Sequence, residues 1–207
     1  MKHIAIVGNI GSGKTTLTQK LADHFKWKAA FESADDNPYL EDFYADMKAW
    51  AFHLQIYFLN NRFQQVKRIQ ASEQAIVQDR TIYEDSHIFA KNLHQSGILN
   101  DRDYANYRAM YKSITETITP PDLIIYLKAD LPKLFEQIGK RGRDYEAGME
   151  PAYLQSLNNL YEDWISQYDY GKVLVFDMNH MDFVANEAHF QHIVDSISNI
   201  HPATVLA

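Results

Sequence analysis

The 207-residue sequence contains no cysteine, which excludes a disulfide framework and any thiolate metal site. It has no uncharged apolar stretch of about 18 residues, the length a membrane-crossing helix needs, and the N-terminal run MKHIAIVGNIG is too short for a secretory leader. The expected location is the cytoplasm, with no membrane partner. Positive charge is also short: 20 Lys and Arg against 27 Asp and Glu leave a formal charge of −7. That balance argues against a binder of nucleic-acid polymers, which needs a basic face to release phosphate counterions. Any polyanion handled here should be small and held locally. The nine histidines show no metal-ligand spacing. With 46% apolar and 23% charged residues, and no repeat or low-complexity tract, the chain reads as an ordinary globular protein. One domain over residues 1–200 is expected, followed by a short tail, HPATVLA, at 201–207.

What is present begins with short apolar runs: IAIV (4–7), KAAFE (28–32), AIVQ (75–78), LIIYL (123–127) and VLVF (173–176). They read as strands buried on both faces. Helical spacing fills the intervals. Leu17, Leu21 and Phe25 lie on one face, Trp50, Leu54 and Phe58 mark a long helix, and others are expected near 82–95, 102–117, 131–140, 151–167 and 184–199. TPPD at 119–122 stops a helix before a strand. Alternating strands and helices imply an α/β fold, a five-stranded parallel sheet with helices on both faces. Ligands in such sheets sit beyond the carboxyl ends of the strands, so residues just after Val7, Phe31, Gln78 and Leu127 should face the site.

The first strand runs into GNIGSGKTT. Gly8, Gly13, Lys14 and Thr15 complete the G-x-x-x-x-G-K-[ST] pattern of a P-loop, in the strand-to-helix context that its mechanism requires. Backbone N–H groups of residues 11–15 wrap phosphates, Lys14 supplies charge to the outer ones, and the Thr15 hydroxyl reaches Mg²⁺. Asp79, ending the run AIVQD, is the acidic partner such a metal needs. The same aspartate also suits the cap of a helix opening at DRTIYED. A GTPase would carry N-K-x-D after a strand, and KADLPKL follows LIIYL instead. Motors and larger ATPases need longer chains. A small kinase remains.

The ordered set GNIGSGKTT, FES, NPYLEDFY, Trp50 to Gln55 to Arg62, DRTIYED, KRGRDYE and FDMNHMDF resembles the P-loop deoxynucleoside kinases, the family of deoxycytidine, deoxyguanosine and bacterial deoxyadenosine kinases. The resemblance covers residues 3 to about 199 and implies a homodimeric, ATP- and Mg²⁺-using kinase of nucleotide salvage, closed by a basic lid. It implies roles by position. Glu32 would be the general base on the sugar 5′-hydroxyl, although Ser33 follows it where the family has proline. Arg80 would meet the transferring phosphoryl group, and bracing the strand end is its plain alternative. Gly8, Asn9, Gly11, Ser12, Gly13, Lys14, Thr15 and Thr16 would hold the donor phosphates, with Arg141 and Arg143 closing over them. Gln137 stands where longer basic lids carry a further arginine, so Lys140 would replace that contact or the contact is lost. Asp182 and Phe183 would flank the donor adenine.

On the acceptor side the resemblance assigns Tyr44 and Glu146 to the sugar 3′-hydroxyl, Trp50 and Phe89 to the nucleoside pocket, and Gln55 to the base. Gln55 and Arg62 are two helical turns apart and share a face. Arg62 with Asp85 resembles the pair of the cytosine and purine kinases, and a helix-to-helix salt bridge is compatible with the same residues. The expected substrate is a deoxynucleoside, deoxyadenosine first, with deoxyguanosine or deoxycytidine as alternatives. Outside that reading stand a nucleoside monophosphate kinase, disfavoured by the acidic and amide residues from Glu32 to Gln55, and a non-catalytic kinase-like subunit.

Overall fold

Strand β1 (His3–Gly8) is buried along its whole length, and its alternate side chains enter two different cores. Ile4 and Ile6 join one apolar cluster, Ala5 and Val7 the other. The period-two geometry of a strand sends neighbours to opposite faces, so a continuous apolar run is what a doubly covered strand requires. Strand β4 (Leu123–Lys128) repeats the division, with Leu123 and Ile125 on the first side and Ile124 and Tyr126 on the second.

The computed structural model describes residues 1–31, 37–142 and 149–200. Among them five strands form one parallel sheet in the order β2-β3-β1-β4-β5, with β2 at Lys28–Ala30, β3 at Ile76–Asp79 and β5 at Lys172–Asp177. Helix α1 (Lys14–Phe25) and helix α9 (Glu187–Ile200) supply Leu17, Leu21, Phe190, Ile193 and Val194 to the first core. Helix α7 (Leu131–Arg141) adds Leu134 and Ile138. The second core is closed by Leu59 of α3 (Met47–Ala71), Tyr107 of α6 (Asp101–Thr115), and Leu157, Tyr161 and Trp164 of α8 (Pro151–Ser166). Helix α2 (Leu40–Ala45) packs on α3 through Phe43, in a smaller cluster with Leu54 and Leu93. No helix among the described residues is long and apolar enough to cross a membrane.

Two expectations need correction. The run at 173–176 and the described part, 28–31, of the run at 28–32 are not buried on both faces: β2 and β5 are the sheet edges, and Lys28 and Lys172 are exposed while Ala29, Ala30, Val173 and Leu174 are half-buried. An edge strand has a neighbour on one side only, so short or charged edges are expected there. The helix foreseen over 82–95 is a composite. A turn α4 (Ile82–Glu84) passes into a π-helical segment, Asp85–Ala90, and then α5 (Lys91–Gln95). π-Helical turns concentrate at functional sites. Here the segment presents Asp85 and Phe89 to one cavity.

Candidate active site

The phosphate loop is made by backbone. Gly11 and Gly13 have φ of 84° and 94°, conformations open to glycine and costly for other residues. A Cβ on Gly11 would stand 2.8 Å from the Leu134 carbonyl oxygen, so side chains are excluded there on packing grounds as well. Gly13 is the N-cap of α1 and makes no side-chain cap, and the first turn of α1 carries no acidic residue. The N–H groups of that turn and the positive end of the helix dipole thus face the loop with no acidic residue of the helix's own first turn opposing them. Asn9 fixes the loop to α8. Its amide donates to the Leu154 carbonyl (3.0 Å) and to Asn158 Oδ1 (2.6 Å), while its Oδ1 accepts from the Ile10 N–H (2.8 Å). Lys14 Nζ donates to the Asn9 carbonyl at 2.8 Å. Ser12 is buried inside the loop, and Thr16 lines the cavity beside it.

Thr15 and Asp79 meet as a P-loop pair should. The Thr15 hydroxyl donates to Asp79 Oδ2 at 2.5 Å, and Asp79 Oδ1 is buried without a hydrogen-bond partner among the described residues. A buried carboxylate oxygen in that state is costly unless a cation or donor comes to it. Hard oxygen ligands of this type suit Mg²⁺.

Arg80, next in sequence, has φ of 68°. This left-handed conformation is uncommon for a non-glycine residue and marks a position held by its surroundings. Its N–H donates to the Ile6 carbonyl (3.0 Å), Nη1 donates to the Tyr161 hydroxyl (3.2 Å), and the guanidinium lies 4.5 Å above the Phe89 ring. Glu84 stands 3.8 Å from Nη1. Glu84 is fully buried and was not singled out from sequence. The signal was present: Thr81 and Glu84 have the spacing of a capping box, and the structure forms it, with Thr81 N–H to Glu84 Oε2 at 2.6 Å and Glu84 N–H to Thr81 Oγ1 at 3.3 Å.

Two cavities flank the loop. One, of about 190 Å³, lies over the carboxyl ends of β1 and β3 and is lined by Lys14, Asp79 and Arg80 at one end, and by Tyr44, Gln55, Asp85 and Phe89 further in. Leu40, Leu54, Phe58, Leu93 and Tyr153 give it apolar walls, and Arg141 reaches its rim. Gln55 is buried and its Oε1 has no partner among the described residues. Arg62 Nε donates to Asp85 Oδ2 at 3.3 Å, both side chains 4% exposed, and Arg62 Nη1 donates to the Asp79 carbonyl at 3.3 Å. The pair is therefore a salt bridge between helical segments of which Asp85 lines the cavity, while Arg62 lines neither cavity and stands behind Asp85. Removing one member of such a buried pair typically costs about 3–5 kcal/mol.

The second cavity, about 220 Å³, lies on the other side of the loop, lined by Gly11, Ser12, Gly13 and Thr16 together with Lys133, Gln137, Lys140, Asp182 and Phe183. A Cβ on Gly13 would be 3.2 Å from the Phe183 ring. The Asp182 carboxylate caps its own turn, accepting from Val184 N–H (3.0 Å) and Ala185 N–H (2.9 Å), which pulls its pKa down. Lys133 and Lys140 both pair with Glu136 on the surface of α7.

Trp50 does not line either cavity. Its ring packs instead with Tyr39 (5.9 Å), the N-cap of α2, and with His53 (5.3 Å) on its own helix, because α2 covers that end of the stripe. Glu32, Arg143 and Glu146 lie outside the described residues.

The whole arrangement has counterparts. The family model for deoxynucleoside kinases matches residues 4–201. A Bacillus subtilis protein named deoxyadenosine/deoxycytidine kinase is 39% identical over 95% of this chain and 92% of its own. A Dictyostelium discoideum deoxyadenosine kinase is 45% identical over 92% of this chain and 77% of its own. Among solved structures, deoxyadenosine kinase from M. mycoides with dCMP and dCDP bound superposes with a TM-score of 0.86 at 30% identity, over 96% of this chain and all of that one. A parallel sheet, a loop built to hold phosphates, and a buried polar cavity beyond it are what a phosphotransferase of this kind needs, and the chain belongs to the deoxynucleoside kinase family.

Proposed function

We propose that the enzyme transfers the γ-phosphoryl group of ATP, with Mg²⁺, to the 5′-hydroxyl of a deoxynucleoside whose base carries an amino group at purine C6 or pyrimidine C4, where guanine has an oxo group, deoxyadenosine first. The observation that carries the base assignment is the presence of two acceptors in one cavity: Gln55 Oε1, which has no hydrogen-bond partner among the described residues, and the Asp85 carboxylate, which Arg62 holds. A buried acceptor such as Gln55 Oε1 asks for a donor, and the exocyclic amine of adenine or cytosine provides two N–H groups, one for the amide oxygen and one toward the carboxylate. The oxo group of guanine would face a carboxylate with a lone pair. Two of the relatives described above are named deoxyadenosine kinases and one is named for both deoxyadenosine and deoxycytidine, which supports the same order.

The chemistry follows from what each side of the loop supplies. When the donor binds, Lys14 exchanges the Asn9 carbonyl for phosphate oxygens. Asp79 and Thr15 would hold Mg²⁺, which supplies charge neutralisation at the phosphates. Glu32 takes the 5′-hydroxyl proton as the sugar oxygen bonds to the γ-phosphorus, and the bond to the β-phosphate oxygen breaks to release ADP. Arg80 opposes the charge that develops on the equatorial oxygens, and Arg141 and Arg143 close over the donor and exclude water. Tyr44 and Glu146 hold the 3′-hydroxyl. Asp182 and Phe183, which line the second cavity, would flank the donor adenine, Phe183 with its ring and Asp182 through the turn it caps. In the same reading the protein is cytoplasmic and dimeric. Steady-state phosphorylation of the four deoxynucleosides, adenosine and dAMP tests it. Highest kcat/KM for deoxyadenosine is expected, and a preference for deoxyguanosine or dAMP would overturn the assignment.

A further inference from the structure

Glu84 has two oxygens in two different settings. Oε2 closes the capping box with the Thr81 N–H at 2.6 Å, a role that many helix N-termini assign to a surface glutamate. This glutamate is not on the surface: its exposure is 0%. Oε1 turns the other way and accepts from the Tyr161 hydroxyl at 2.8 Å and, at 3.4 Å, from the N–H of Gly8, the first glycine of the phosphate loop. Arg80 Nη1 lies 3.8 Å from the same oxygen and donates to the same Tyr161 hydroxyl. A helix cap does not require the second oxygen to be buried against a phosphate loop and an arginine.

We propose that Glu84, with the Tyr161 hydroxyl, is a positioning residue that holds the Arg80 guanidinium and the start of the phosphate loop in one frame. The proposal rests on the reading of Arg80 as the group that meets the transferring phosphoryl. Arg80 needs such a holder because its left-handed backbone is a conformation that its own side chain does not favour. A guanidinium with five donors also has many alternative partners, and a buried carboxylate on one side with the Phe89 face on the other selects one orientation. Burial raises the Glu84 carboxyl pKa, while Arg80 and Lys14 oppose that rise. The carboxylate thereby couples the two cations between which the phosphoryl group would pass. Removing its charge is expected to act on the transition state, since neither nucleoside recognition nor the cap depends on Oε1.

Glu84→Gln separates the two roles. The amide oxygen can keep the Thr81 N–H and thus the cap, while an NH₂ donor replaces Oε1 and opposes Gly8 N–H and Arg80. The expected result is a fall in kcat of roughly tenfold to a hundredfold, the usual scale for supporting groups, with the KM for deoxyadenosine unchanged. The decisive measurement is the cycle of Glu84→Gln, Arg80→Ala and the double variant. If Glu84 acts through Arg80, the second substitution adds little to the loss of kcat caused by Arg80→Ala. Multiplicative losses, or a change in KM alone, would overturn the proposal. An Arg80→Ala variant with near-normal kcat would instead overturn the reading of Arg80. Tyr161→Phe removes the shared hydroxyl without touching the cap. It should lower kcat several-fold in the native background and leave it unchanged in Arg80→Ala, so the question stays decidable if Glu84→Gln does not fold.

Discussion

The two sides of the phosphate loop are built by opposite strategies. On the donor side, Gly11 and Gly13 in left-handed conformations expose main-chain N–H groups, and surface lysines of α7 surround the opening. On the acceptor side, side chains do the work, and they come from several separate stretches: Tyr44 from α2, Gln55 from α3, Asp79 and Arg80 from the end of β3, Asp85 and Phe89 from the π-helical segment, Tyr153 from α8. A phosphate is recognised by charge and a concave ring of donors, which a short glycine-containing turn can provide alone. A sugar and a base have directional donors and acceptors, which must be matched by groups fixed from several directions.

The contrast can be broken at either side. The largest effect is expected where the two meet: Lys14→Ala should lower kcat/KM by about a thousandfold, because it removes a preorganised charge from the transferring phosphates, and steady-state kinetics check this. Gly11→Ala should act on the donor side alone. Its Cβ meets the Leu134 carbonyl in a left-handed conformation, so the KM for ATP should rise by about a hundredfold while deoxyadenosine affinity, measured by calorimetry without ATP, is retained. On the acceptor side, Tyr44→Phe should raise the deoxyadenosine KM several-fold and leave the KM for ATP unchanged, as expected for the 3′-hydroxyl contact proposed for it.

A further test on the acceptor side concerns folding. His87 follows Asp85 in the π-helical segment and packs against Tyr111 and Trp164. Burial, with Arg108 and Lys91 nearby, lowers its pKa from 6.5 to about 4. The folded protein keeps it neutral where the unfolded chain binds a proton, so stability should fall as pH drops from 6.5 toward 4. Thermal unfolding over that range should show the loss, and His87→Gln should reduce its steepness. The smallest effect is expected at the donor rim. Glu136→Ala should leave the melting temperature unchanged within error and alter the KM for ATP at most a few-fold, since exposed ion pairs contribute little.

The same contrast explains what the sequence made legible. The phosphate loop is contiguous, so its spacing alone places Gly8, Lys14 and Thr15, and the continuous apolar runs of β1, β3 and β4 announce buried strands. The acceptor side depends on distant contacts. Helical spacing puts Trp50, Leu54 and Phe58 in one stripe, yet only the position of α2 decides that Leu54 and Phe58 line the cavity and Trp50 packs behind it. The π-helical segment adds no sequence signal that a simple helical period would detect. Edge strands β2 and β5 carry runs like those of the interior strands, and their place in the sheet order is set by crossover connections. Glu84 was visible as a capping glutamate. What hid its second oxygen was Tyr161, which lies on another helix 77 positions later.

The central claim is that the acceptor side reads the amino group at purine C6, where guanine has an oxo group, and competition between deoxyadenosine and deoxyguanosine in the native enzyme and in Asp85→Asn tests it most directly. The account predicts a preference for deoxyadenosine in the native enzyme that shrinks by roughly tenfold or more in the variant, as an amide can donate to the oxo group of guanine. An unchanged ratio, with both substrates losing equally, would contradict it and leave Arg62 and Asp85 as a salt bridge alone.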